Sequence, residues 1–150
     1  MIPHGSDDTP CWLVRARREI GVVEGVNDTR ILQYRTATKL RPWAKTSGPG
    51  SPWCADFAGW CLEGEGITST RSAAAASYKT WGKPSELRAG AVVVFGPHDP
   101  DAGGTGHVGF VDTFPVDGWL WVISGNCGNA VRRKRYRVAD IVACRWPEIP

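Results

Sequence analysis

At Gly90 the apolar pattern of this chain changes period, and that change limits the possible folds more than any other feature. Before it, apolar residues recur at helical spacing. Trp12, Val14, Ala16, Ile20 and Val23 stand among charges between Cys11 and about Gly25. Ile31, Leu32 and Tyr34 mark a second, short helix over residues 29–37. A third opens near Cys54 and stops at the Gly64/Gly66 pair, and RSAAAASYKTWG reads as a fourth, stopped by Gly82 and Pro84. After Gly90 come AVVVF, HVGFVDT, WLWVISGN, AVRRKRYRV and IVACRW, short β-rich runs split by turn residues. Helices followed by antiparallel strands predict an α+β fold, with N-terminal helices packed on a C-terminal antiparallel sheet. With no internal repeat and no separating linker, the 150 residues read as a flexible lead over 1–10 and a single domain over 11–150.

Composition narrows the function classes. A hydrophobic share of 42% with 22% charged residues is that of a globular domain. A net charge of +3 suits an anionic polymer and is too weak to indicate nucleic acid. No apolar run reaches the roughly 20 residues of a membrane span, so membrane insertion is not expected. MIPHGSDDTP has neither the basic nor the apolar region of a secretory signal, which predicts synthesis in the cytoplasm without a signal peptide. Five cysteines at irregular spacings, with no C-x-x-C pair, argue against a disulfide framework or a structural zinc site.

One cysteine stands apart. In SPWCADFAGWCLEGEG, Ser51 suits an N-cap and Pro52 the first helical position, so Cys54 falls in the first turn. There, unpaired N–H groups and the positive end of the helix dipole favour thiolate over thiol. The same N–H groups suit an oxyanion on an attacked carbonyl. The plainer alternative is a cysteine buried in a core helix. A thiolate nucleophile needs an imidazole. His4 lies in the lead and His98 in the loop GPHDPDAGG, whereas His107 opens a strand in TGHVGFV, where a base can be held firmly. An imidazole needs an orienting group in turn. The next strand ends at Asn126, in the tight turn GNCGN, which a hairpin would bring beside His107; the alternative for Asn126 is a turn residue in the left-handed region.

Together PWCADF, GHVGFVD and ISGNCGNAV resemble the CHAP family (cysteine- and histidine-dependent amidohydrolases/peptidases) and its NlpC-type papain-like relatives. A small phage-associated branch of that group is also similar at EGVND and ILQYR, and the likeness runs from about Cys11 to Pro147. The resemblance implies hydrolysis of an amide in the peptide portion of peptidoglycan through an acyl-enzyme. Cys54 would be the nucleophile, His107 the base and then the acid, and Asn126 the residue orienting His107. It implies no cofactor and no metal, action on the wall after release or delivery, and a monomer. It leaves open a phage lysin, a tail-borne enzyme and an antibacterial effector, the last with an immunity protein as partner. A protein-directed acyltransferase or deamidase, and an inactive wall-binding module, are the alternatives. Two positions depart from the branch: Cys127 stands where glutamine is common, and Asp56 stands where a small or apolar residue is usual.

Other residues are weaker candidates. Trp43, Trp53 and Trp81 read as possible groove walls or as core, with Cys127 and Asn129 beside them in the turn. His98, Asp99 and Asp101 could hold calcium, but no bidentate acid follows at the right spacing, so a solvated loop is the better reading. RRKRYR alternates along a strand, as a charged edge guarding against aggregation or as an attractor of anionic wall polymers. Glu24 and Asn27 stand near the end of the first helical segment, with nothing in the sequence to place them.

Overall fold

The computed structural model describes residues 9–37, 52–96 and 106–148. Its helices are α1 (Cys11–Arg18), α2 (Asp28–Ala37) and α3 (Cys54–Glu63), followed by a 3-10 turn over Ala75–Thr80. Six strands follow: β1 (Lys83–Pro84), β2 (Val92–Phe95), β3 (His107–Val116), β4 (Trp119–Ser124), β5 (Arg132–Arg137) and β6 (Ile141–Trp146). They form one antiparallel sheet in the order β1-β6-β2-β3-β4-β5. This is the expected α+β architecture, with the helices against the sheet. No helix among the described residues is long and apolar enough to cross a membrane.

Register decides which side chains share a face. Val92 pairs with Phe110, and Phe110 with Ile123, so these three lie on one face, all fully buried. Phe95 pairs with His107 on the other face, and Tyr136 stacks on both rings at 4.5 and 6.0 Å. Trp12 ties the first helix to the far end of the sheet. Its indole N–H donates to the Gly90 carbonyl at 2.8 Å, and its ring meets Trp146 edge-on at 5.2 Å.

Three elements differ from the sequence expectation. The first helix ends at Arg18, not near Gly25, because Gly21 at φ +102° turns the chain and its N–H donates to the Val131 carbonyl. Val23 then bridges to Ala130. The alanine-rich segment forms only the 3-10 turn. Hydroxyls around it capture local partners: Ser72 Oγ accepts from the Ala74 N–H, and Ser77 Oγ donates to the Ala74 carbonyl. Strand β1 is two residues long, too short to leave a period.

The start of α3 packs closely against the chain just past β4. A Cβ built on Gly125 would lie 2.6 Å from Phe57 Cβ and 2.9 Å from the Trp53 ring. Both neighbours are fully buried and cannot retreat. Gly125→Ala should therefore lower the unfolding free energy by about 1–3 kcal/mol, the usual cost of overpacking. Urea denaturation measures it, and an unchanged midpoint would mean that α3 can shift away.

Candidate active site

Cys54 is the first residue of α3, with Trp53 at the N-cap, making no side-chain capping bond. The helix thus starts two residues later than Ser51 and Pro52 suggest, and Ser51 itself lies outside the described residues. The Cys54 side chain is 4% exposed. Burial pushes its thiol up to about 11, and this outweighs backbone N–H groups of Val108 and Ala55 that favour the thiolate, while Asp56 adds a further rise. The expected low-pKa thiolate is therefore corrected. A helix start helps an anion only where burial does not cost it more.

The Val108 N–H that reaches Cys54 belongs to the residue after His107, so the first turn of α3 lies against the start of β3. His107 opens β3 and is fully buried. Its Nε2 lies 2.8 Å from Ser124 Oγ, the last residue of β4. Gly109 makes room for this contact, since a Cβ there would sit 2.8 Å from Ser124 Cβ and 2.6 Å from Val122 Cγ1. Phe95 and Tyr136 hold the ring plane, and Cys127 Sγ lies 3.7 Å from the Tyr136 hydroxyl.

Ser124, two residues before Asn126, meets the imidazole. Asn126 is half-buried at φ +53° in a turn that also holds Asn129 at φ +63° and is closed by the Cys127 N–H on the Ala130 carbonyl. The signal for Ser124 in the sequence is its place as the last β-patterned residue of WLWVIS.

Glu24 receives a place. Its carboxylate accepts from the Trp53 indole N–H at 2.6 Å, and its backbone N–H donates to the Asn129 carbonyl at 2.8 Å. It thereby couples the residue before Cys54 to the turn after β4. Trp53 is correspondingly no groove wall: it is fully buried and stacked on Tyr34 at 5.9 Å. Cys127 is likewise buried. Trp81 packs on Tyr78 and donates to the Thr68 carbonyl, near the β1–β6 side of the sheet. Asn129 is exposed. Trp43, His4, His98, Asp99 and Asp101 lie outside the described residues. Among the described residues no group of three or more His, Cys, Asp or Glu side chains is placed to hold a metal ion.

Asp56 is the unexpected charge. It is fully buried two residues after Cys54, 3.7 Å from Arg35 Nη1, and neither carboxylate oxygen has a hydrogen bond among the described residues. Burial raises its pKa to about 7, against the pull of Arg35.

The CHAP domain family model matches residues 46–126, a span that contains Cys54, His107, Ser124 and Asn126. No curated protein matches the chain.

Two measurements check the electrostatics. Iodoacetamide at pH 6–7 should leave Cys54 of the folded protein almost unlabelled, with the rate still climbing above pH 9; fast labelling at pH 6 would contradict the burial effect. Asp56 holds its proton more tightly folded than unfolded, so its contribution favours the fold below about pH 4 and fades as the pH rises to about 7. That loss is on the order of 4 kcal/mol at about 1.4 kcal/mol per unit. Asp56→Asn should flatten the fall of Tm between pH 4 and 7, and an unchanged slope would assign it to other groups.

Proposed function

Because the chain belongs to the CHAP domain family, which implies an amidase or peptidase acting on peptidoglycan, we propose that it cleaves a wall amide by thiol catalysis with Cys54 as nucleophile, His107 as base and acid, and Ser124 as the group that orients His107. The observation that carries this reading is the meeting of Cys54 with the Val108 backbone beside an imidazole braced by Ser124.

With Nε2 engaged by Ser124, proton exchange with the thiol falls to Nδ1 of His107. A thiol near pKa 11 does not stand as a thiolate at neutral pH, so proton removal accompanies attack. Sγ bonds to the carbonyl carbon while Nδ1 takes its proton. The oxygen, now negative, accepts from backbone N–H groups at the start of α3. The C–N bond then breaks, the amine leaves with the proton from Nδ1, and an acyl-enzyme remains. A water molecule gives its proton to the same nitrogen and attacks the thioester. The C–S bond then breaks, Sγ takes the proton back from Nδ1, and the carboxylic acid product leaves and ionises in solvent. Asn126 serves the turn that follows β4, and Glu24 keeps the N-cap residue Trp53 in place through its indole.

Digestion of purified sacculi, followed by mass spectrometry of the released fragments, tests the reading and identifies the bond. Cys54→Ala should abolish digestion while preserving the fold. His107→Ala should cost about 100-fold or more. Ser124→Ala should lower kcat about tenfold and shift the pH profile, because the base loses its brace, whereas Asn126→Ala should leave that profile in place. A folded Cys54→Ala protein retaining more than a few per cent of activity would remove the thiol mechanism. Transfer of the acyl group to an added amine, with no hydrolysis, would make the chain a transferase.

A further inference from the structure

Strands β4 and β5 carry a second feature, outside the site. Along β4, Leu120 and Val122 are buried, while Trp119 and Trp121 between them remain 37% and 38% exposed. The register sets Trp119 opposite Arg137 and Trp121 opposite Arg135. The guanidiniums lie over the indoles: Arg135 and Arg137 at 4.6 and 5.8 Å from Trp119, and Arg133 at 4.2 Å from Trp121. Phe114 and Val116 of β3, both about two-thirds exposed, wall the other side. Phe114, Val116, Trp119, Trp121, Arg133 and Arg135 line an open groove of about 550 Å³, and Arg137 stands beside it over Trp119.

The charges in this groove are unequal. Asp112 bonds both Arg17 and Arg133, so it is spent on holding β5 to α1. Asp117 lines one end. Arg135 and Arg137 have no carboxylate partner among the described residues. Stacking on Trp119 orders both side chains before any partner arrives, which lowers the entropy cost of binding. An exposed aromatic patch with ordered, unpaired guanidiniums fits a partner with flat apolar faces and carboxylates. A bare patch of charge would be less selective.

We propose that this groove is a second binding site for a peptidoglycan strand, with sugar rings on Trp119 and Trp121 and stem-peptide carboxylates on Arg135 and Arg137. The proposal rests on the reading of the chain as a wall hydrolase and extends it. Geometry links the two sites, since Trp119 begins the strand that ends at Ser124, about 17 Å away at roughly 3.3 Å per residue. A polymer lying in the groove raises the local concentration of its own amides at Cys54. Both indoles line the groove, which favours a strand lying in it over a lipid surface.

The test uses the full chain as Cys54→Ala, so that binding is read without cleavage. Its sedimentation with purified sacculi free of phosphodiester polymers should weaken about tenfold with added Arg135→Gln and Arg137→Gln. Trp119→Ala should weaken it similarly, and matched melting temperatures control for folding. Carbodiimide amidation of the sacculi should have the same effect. In the catalytic background, the arginine variants should slow digestion of sacculi severalfold while cleavage of a small soluble muropeptide stays within twofold. Unchanged sedimentation in the arginine variants would overturn the groove, as would equal binding to anionic lipid vesicles or to duplex DNA. If the unsubstituted protein cleaves nothing but its Cys54→Ala form binds through these residues, the hydrolase reading fails and the groove stands.

Discussion

The first turn of α3 can approach the sheet only because Gly125 has no side chain, and the rest of the site depends on that contact. Phe57 and the Trp53 ring occupy the space that a Cβ would take. Trp53 is then locked from the other side by Tyr34 and by the carboxylate of Glu24. The residue after Trp53 is Cys54, so its sulfur inherits this fixed position against the backbone of β3. Glu24 reaches the spot because the chain leaves α1 early and runs beside the turn at Asn129. Four segments distant in sequence thus converge on one sulfur.

The same closeness sets the chemistry. Tight packing excludes water from Cys54, and loss of hydration costs the thiolate more than a few N–H groups return. Asp56 follows the same logic. Its pairing with Arg35 at 3.7 Å, without a hydrogen bond among the described residues, does not offset its burial. The first two turns of α3 therefore hold two acids whose protons burial retains, one on sulfur and one on oxygen.

On the opposite face of the hairpin strands, alternation produces a different environment from the same residues. β4 buries Leu120 and Val122 toward the core and leaves Trp119 and Trp121 beside the arginines of β5. Period 2 makes a single strand serve the core on one side and a cationic aromatic groove on the other. Its last residue, Ser124, meets the His107 imidazole.

Much of this was legible in the chain. The change of period at Gly90 determined the α-then-β order, because periodicity is a local property that each segment carries with it. The opening of a helix at Cys54 and of a strand at His107 were readable for the same reason. Other features are sums over residues that only folding brings together. The sequence did not point to Ser124, whose Oγ is put at Nε2 of His107 by cross-strand packing, with room made at Gly109. It pointed to a thiolate at a helix start, but burial in the folded protein raised that pKa. It left Glu24 unplaced, since no local pattern records a bond across 29 residues. Local chemistry was written in the sequence, while hydrogen-bond partners and proton affinities were decided by the tertiary structure, because both depend on which distant groups exclude water.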